Sequence, residues 1–389
     1  MAREQLPTAV SPLSRRELFT SHDTLARAAG CPGDPPPPID LPVVATTAAV
    51  GSLPGSTSVS DDGTFTYSAA IPVPPGRAGM QPSLALSYAS TPSEGSLGIG
   101  FALSGLSSIT RCGQSVAIDG QHRGVELDDD DRLCLDGARL LAVEGEDMQA
   151  GTIYRTETET WRRIETVESD RVGVTGPVTL RVRMPDGRER LYGASNDSRL
   201  EITRADGSRV VATWFLTLER DPRSNAIRYG YDHVTPTLPA ELAALADPDP
   251  PTYDLVRISR IDYTGTANDL GTLTSPGTRS VRFTYASTPR TPDRGVLNAD
   301  DPAEEPGVED GFFEASYGWR ASAFPLERVR TYVEEDLVHE LRLVGETEPV
   351  SRRYRLTSAQ LCANAPPAPG TTIWFCSCRT TLRRCRGGS

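Results

Sequence analysis

The sequence contains no lysine: all 40 basic side chains are arginine, set against 52 aspartates and glutamates. A bias this complete reflects a GC-rich coding sequence rather than a binding surface. No apolar run is long enough to cross a bilayer as a helix, and the N-terminal stretch lacks the hydrophobic segment of a secretory signal. Neither a membrane span nor the general secretory route is therefore expected from the chain itself, and synthesis in the cytoplasm is the default. The Ala-Ala-Gly-Cys that ends at Cys31 follows polar and charged residues, which reads as a tail cysteine rather than a lipidation site. A formal charge of −12, with no compact basic patch in the body of the chain, opposes binding to nucleic acid or an anionic membrane surface.

Signals for catalysis and metal binding are equally sparse. There are only four histidines, His22, His122, His233 and His339; none stands at a metal-ligand spacing, and no Gly-x-Ser-x-Gly elbow supplies a nucleophile. Seven cysteines, an odd number, fit no disulfide framework in a chain this long, and Cys376, Cys378 and Cys385 lack the paired C-x-x-C of a zinc site. Asp128, Asp129, Asp130 and Asp131 lack the Asp-x-Asp-x-Asp-Gly spacing that wraps calcium, so they read as a solvated acidic loop. The glycine-rich GSLGIG ending at Gly100 precedes no helix that would aim amides at a phosphate; it reads as a tight backbone crossing between strands. With 52 carboxylates, chance acid pairs are inevitable in any fold, and none is singled out. No catalytic residue, cofactor or metal is expected.

What the chain does have is turn chemistry and alternation. It carries 34 glycines and 32 prolines, and from Thr57 onward short period-two runs dominate, among them Phe65-Thr66-Tyr67, Ser83 to Tyr88 and Thr179 to Met184. Asp136-Gly137, Asp186-Gly187 and Asp206-Gly207 each lie between two such runs, where Asp-Gly supplies the positive φ angles of a type I′ hairpin. Helical patterning is confined to residues 15–29 and 240–246. Trp161, Trp214, Trp319 and Trp374 neighbour strand-like runs and read as core or sheet anchors, as do Tyr88, Tyr229, Tyr231, Tyr263 and Tyr285. Residues 1–55, with GDPPPPIDLP, form a tail and proline-rich linker expected to be disordered. The expected fold is mainly β: a large antiparallel sheet of stacked hairpins with few short helices.

WFLTLERDPRSNAIRYGYD, ending at Asp232, reads as strand, turn, strand closing on Tyr-x-Tyr. It resembles the YD or Rhs repeat, although Ser224 stands where that repeat has glycine. Three further blocks occur in order: IPVPPGRAGMQPSLALSYAS, then GSLGIGFALSGLSSITRC, then DDDDRLCLDGARL. Together they resemble the SpvB family, the N-terminal domain of the Salmonella virulence plasmid B protein, which also begins the B component of bacterial toxin complexes. The resemblance runs over about residues 59–374 and takes in the IDYTG that ends at Gly265. The signature residues it carries onto this sequence are Pro74, Pro75, Gly76, Arg77, Gly79, Met80, Gln81, Pro82, Gly98, Gly100, Gly105, Leu106, Cys112, Cys134, Asp136 and Gly137, all in a structural role.

The resemblance implies an SpvB-like β domain over residues 56–375, forming part of a shell that encloses a toxic polypeptide. It implies a Rhs-repeat, C-component-like partner and a toxin-complex A component, and it implies secretion. The Cys- and Arg-rich residues 376–389 are atypical of the family, so a truncated or frameshifted fragment is the expectation. Cys112 and Cys134 flank the acidic loop and form a disulfide if the protein is exported; buried thiols are the favoured reading. Arg77 is the most tempting functional side chain, with capping of carbonyls or pairing with an acid as its structural alternative. Against the shell stands an exported surface or adhesion module, binding a glycan or protein through loops such as residues 286–313.

Overall fold

The computed structural model describes residues 55–90, 94–171, 173–204, 207–234, 255–287, 324–347, 354–364 and 374–381, without the side chains of residues 94, 364 and 374–381. The helical patterns at 15–29 and 240–246, the proline-rich tail, Trp319 and the loop at 288–313 lie outside them.

The first described residues form an antiparallel sheet. Strands β1 (Gly55–Val59), β2 (Phe65–Ala70) and β3 (Ala85–Ala89) pair in sequence. A two-residue hairpin, β4 (Glu94–Gly95) and β5 (Gly98–Ile99), then leads to β6 (Phe101–Ser104), which adds beside β3.

A closed ring follows, built from β7 (Ser108–Cys112), the short helix α1 (Val116–Asp119), β8 (Arg132–Leu135), β9 (Ala138–Glu144), β10 (Ile153–Thr156), β11 (Arg163–Ser169) and β12 (Val174–Thr175). It continues through β13 (Pro177–Arg183), β14 (Glu189–Tyr192), β15 (Arg199–Thr203) and the long β16 (Arg209–Arg220). Pairing runs from β7 through β8, β9, β10, β11, β13 and β14 to β16, and β16 returns to β7, so the sheet closes as a barrel.

β16 belongs to two structures at once. Its first part pairs with β15 and, at Thr213, Trp214 and Phe215, with β7; its last part pairs with β14 and with β17 (Asn225–Val234). From β17 an open antiparallel meander grows through β18 (Leu255–Ala267), with β19 (Leu273–Ser275) at its end, then β20 (Arg279–Tyr285), β21 (Leu326–Val333), β22 (Asp336–Thr347), β23 (Tyr354–Asn364) and β24 (Trp374–Thr381).

Alternation explains both faces of the meander. Ile227, Tyr229 and Tyr231 of β17, Val281 and Phe283 of β20, and Leu341 and Leu343 of β22 all point into one apolar core. Each such side chain contributes about 1.5–3 kcal/mol on burial. On the other face Arg260, Arg282 and Arg330 stand directly opposite one another across three strands. Like charges in that position repel, and each arginine is offset by its own carboxylate: Asp262, Glu335 and Glu340 respectively. Trp214 is fully buried in β16 and its Nε1–H donates to the Pro177 carbonyl at 3.1 Å, anchoring the core as expected.

Two sequence readings change. Asp136 and Gly137 both have positive φ, 51° and 83°, as a type I′ turn requires. At Asp186-Gly187 only Gly187 does; Met184 N–H donates to Arg188 O, and Gly187 N–H to Met184 O. Pro185 would flank a two-residue Asp-Gly loop but has no N–H to close it, so the closing donor moves back to Met184 and the loop has three residues, the last of them left-handed. The second change is Trp161, which is 76% exposed in the turn between β10 and β11 at φ 58°, its ring turned away from the core.

Among the described residues the same three-residue loop recurs four times: Ser60 N–H donates to Thr64 O with Gly63 at φ 82°, Arg204 N–H to Ser208 O with Gly207 at φ 82°, Asp221 N–H to Asn225 O with Ser224 at φ 66°, and Asn268 N–H to Thr272 O with Gly271 at φ 80°. Glycine fills the left-handed position in four of the five loops and serine in the fifth, where an L-residue costs about 1–2 kcal/mol. Ser224→Gly is therefore expected to stabilise the protein by about 0.5–1 kcal/mol after glycine's extra chain entropy is counted. A melting temperature that falls in this variant would contradict the assignment.

Candidate functional site

The connector between β2 and β3 is closed at its base, where Ile71 N–H donates to Leu84 O. Ile71, Met80 and Leu84 are buried, as are Pro74 and Pro82. Gly76 N–H is held by the Gln81 side-chain oxygen at 2.8 Å, and Arg77 and Met80 bridge across the tip. The loop is fastened to the meander by one buried bond: Tyr263 Oη donates to the Pro74 carbonyl at 2.8 Å. Burial pushes the Tyr263 hydroxyl up to about 12.

Tyr263 reaches that carbonyl because of the motif around it. In the pairing of β17 with β18, Ala226 faces Gly265 and Ile227 faces Tyr263, which leaves Thr264 as an extra residue at φ 74°. Thr264 is a β-bulge in a conformation that β-branched residues rarely adopt. Its hydroxyl accepts the Thr278 N–H at 2.9 Å, which holds the bulge in place.

Five signature residues from all three blocks line a single polar cavity of about 280 Å³: Gln81 and Pro82, Gly105 and Leu106, and Asp136, facing Arg188, Arg190, Glu219 and Tyr229. Asp136 accepts the Ser107 hydroxyl at 2.8 Å and the Ser108 N–H at 3.0 Å, and Ser107 also bonds the buried Tyr192 hydroxyl at 2.9 Å. Glu219, 4% exposed, receives Arg188 and Arg190, each at 2.8 Å. Burial pulls the Arg190 guanidinium down, but Tyr192 and Glu219 outweigh it and hold it above its ordinary value. Burial likewise raises Tyr192. Gly105, at φ 95°, has the Ser83 carbonyl oxygen 1.8 Å from where a Cβ would stand, so the second block crosses directly over the first. Chemically, these groups form a locked polar joint between connector, barrel and meander.

The remaining signature residues lie apart from this joint. Gly98 belongs to the β4–β5 hairpin and Gly100 joins β5 to β6; a Cβ on Gly98 would stand 2.6 Å from the Tyr354 carbonyl oxygen of β23, the close backbone crossing expected. Pro75, Arg77 and Gly79 form the exposed rim of the connector. Arg77 neither caps a carbonyl nor pairs with an acid among the described residues, because its side chain points out from the loop tip.

Cys112 and Cys134 are joined as a disulfide, not left as thiols. The antiparallel hairpin of β7 and β8 makes them diagonal neighbours with Cα atoms 6.0 Å apart, well within bridging range. Nor is the acidic loop simply solvated. Asp131 is fully buried and pairs at 3.1 Å with Arg111, itself 2% exposed, which also donates to Val211 O at 2.8 Å. Burial pulls Arg111 below its ordinary value, and Asp131 opposes the shift. Arg123 binds Asp128 and Glu126. Beside them Asp119 accepts Arg139 at 2.7 Å and Arg132 at 3.0 Å. Among the described residues the carboxylates of this loop are thus matched chiefly to arginines.

Sequence reasoning missed Ser107, Arg188, Arg190, Tyr192 and Glu219. The one available signal is a charged residue inside the apolar run Leu216-Thr217-Leu218-Glu219, opposite the Arg-x-Arg of GRERLY. Recognising it requires the register that sets Arg190 against Glu219.

Comparison with known proteins matches residues 59–238 to the family described as Salmonella virulence plasmid 65kDa B protein, SpvB. No curated protein matches the chain. Among solved structures, TcdB2-TccC3 superposes with a TM-score of 0.59 at 18% identity, over 84% of this chain and 16% of that one. The Photorhabdus luminescens Tc holotoxin pore gives 0.58 at 16% identity, over 84% and 16%. The N-terminal domain of effector protein SpvB from Salmonella typhimurium strain LT2 gives 0.50 at 19%, over 76% of this chain and 98% of that domain. At these identities the likeness is one of fold, and this chain spans about a sixth of the toxin-complex chains.

Two measurements test the region around the disulfide. Replacing Cys112 and Cys134 by serine opens a loop with a sequence separation of 22. A loss of about 2–4 kcal/mol relative to the unaltered protein is expected on denaturant unfolding under oxidising conditions. Equal stability of both forms would refute the bridge. The Asp119 carboxyl is pushed up by burial, but the Ser115 N–H and the Arg139 and Arg132 guanidiniums overcome this and bring it down to about 2 from an ordinary 3.8. Since the folded value lies below the unfolded one, the stabilisation is complete above about pH 4 and is lost as pH falls toward 2. Asp119→Asn is expected to lower stability at neutral pH and to flatten the acid limb of the melting curve; an unchanged acid limb would exclude Asp119 as its source.

Proposed function

From the premise that residues 59–238 are an SpvB-family segment, we propose that this chain is a non-catalytic shell segment of a toxin complex of the B-component type. Its role is to help enclose a toxic polypeptide, jointly with a Rhs-repeat, C-component-like partner, and the assembled shell works with an A component outside the cell. The observation that carries the reading is the open meander grown from β16. It is a run of long antiparallel strands, apolar on one face and lined with arginine-carboxylate pairs on the other, and its outermost described strand, β24, meets β23 and no other described strand. Such an edge presents unpaired backbone donors and acceptors, which favours continuation by another strand.

The polar joint supports a structural role for the signature residues. Its carboxylates are fixed by the Ser107 and Ser108 donors and by Arg188 and Arg190, so the joint stiffens the root of the meander rather than serving a reaction. The likeness to TcdB2-TccC3 supports a partner of the TccC3 kind.

Co-expression with a candidate Rhs-repeat protein tests the proposal. A co-purifying, protease-resistant complex is expected, and the chain alone is expected to aggregate. A clean monomer that melts reversibly and ignores the partner would overturn the shell reading.

A further inference from the structure

A second cavity, of about 290 Å³, opens between the β4–β6 region, β16 and the N-terminal half of β18. Among the described residues its walls are largely apolar, with Phe101, Leu106, Phe215 and Ile258 prominent. The single charged residue in the described lining is Arg257. Its guanidinium lies 4.3 Å from the Tyr285 ring centroid and 5.3 Å from that of Phe324, so two aromatic faces flank the cation. Nε and Nη1 are buried and have no hydrogen-bond partner.

That combination needs an explanation, because buried guanidinium N–H groups without acceptors cost free energy that a structural arginine normally recovers through a carboxylate or a carbonyl. Arg111, Arg139 and Arg190 find such partners; Arg257 has none among the described residues. Asp232 stands opposite it in the register of β17 and β18, yet Asp232 is exposed and forms no ion pair with it among the described residues. The nearby tyrosine hydroxyls are already used: Tyr285 donates to Ile258 O at 2.9 Å and Tyr231 to Leu216 O at 2.8 Å. Aromatic stacking offsets part of the charge but supplies no acceptor in the plane of the guanidinium.

We propose that this cavity is a binding site for a small apolar carboxylate, whose hydrocarbon body fills the space between Phe101, Leu106, Phe215 and Ile258 and whose carboxylate meets Arg257. The volume is near the lower limit for small-molecule sites, and a mostly apolar wall with one fixed polar contact is their usual make-up. A charge-assisted contact of this kind sets the choice between an acid and a neutral molecule of the same shape. The proposal is independent of whether the chain joins a toxin shell.

Calorimetric titration of the full chain with 4-phenylbutyrate, and in parallel with neutral 4-phenylbutan-1-ol, tests it. Saturable binding of the acid is expected, about tenfold tighter than the alcohol. In Arg257→Met, which keeps the stem and removes the unpartnered N–H groups, that preference is expected to shrink to about twofold or less. The acid-against-alcohol comparison on the unmodified protein decides the matter even if the variant folds poorly. Absence of saturable acid binding, or equal affinity for acid and alcohol, would overturn the proposal, as would a preference that survives in a folded Arg257→Met protein.

Discussion

The architecture depends on β16 being hydrogen-bonded along both edges to strands that belong to different structures. Its first half closes a ring with β7, and its second half founds the meander with β17. A strand in that position must satisfy two sets of neighbours with one sequence. It does so by burying nearly all of its residues, including Glu219, a carboxylate that survives in the interior because Arg188 and Arg190 reach it from β14 and the turn before it. Removing one partner from such a group leaves an uncompensated charge, which is why these residues function as a unit.

Much of the strand content is legible in the sequence, because period-two alternation and glycine turns are local signals. Tyr229 and Tyr231 fall on the buried face, and Trp214 in the core, where a neighbouring strand-like run says they belong. Ring closure is not legible, since it requires pairing β16 with a strand about a hundred residues earlier, and no local pattern encodes such a partner. Turn type is half legible: Asp-Gly announces each hairpin, yet Pro185 changes its geometry. Trp161 shows the limit from the other side, as an aromatic beside a strand-like run that a left-handed turn directs outward.

The signature blocks were readable as a set before their geometry was, because an ordered series of motifs is specific even when no residue in it has evident chemistry. What remained hidden is that parts of all three converge on one joint, with Glu219 and its arginines supplied by segments outside them. Charge pairing was hidden for the same reason. Four consecutive aspartates look like a solvated run until Arg111 and Arg123 are brought to them by tertiary folding. The disulfide was undecidable from spacing, since an odd cysteine count and the lack of an export signal both argued against it.

The bond from Tyr263 to Pro74 joins residues 189 positions apart. During synthesis the connector leaves the ribosome long before β18 exists, so its docking surface on the meander is absent while the ring is being made. A contact of such separation is slow to find and is favoured only after the intervening chain has been ordered. The sheet of β1, β2, β3 and β6 is thus the first part of the described fold to be translated and among the last to be locked, which leaves it exposed to other chains throughout that interval.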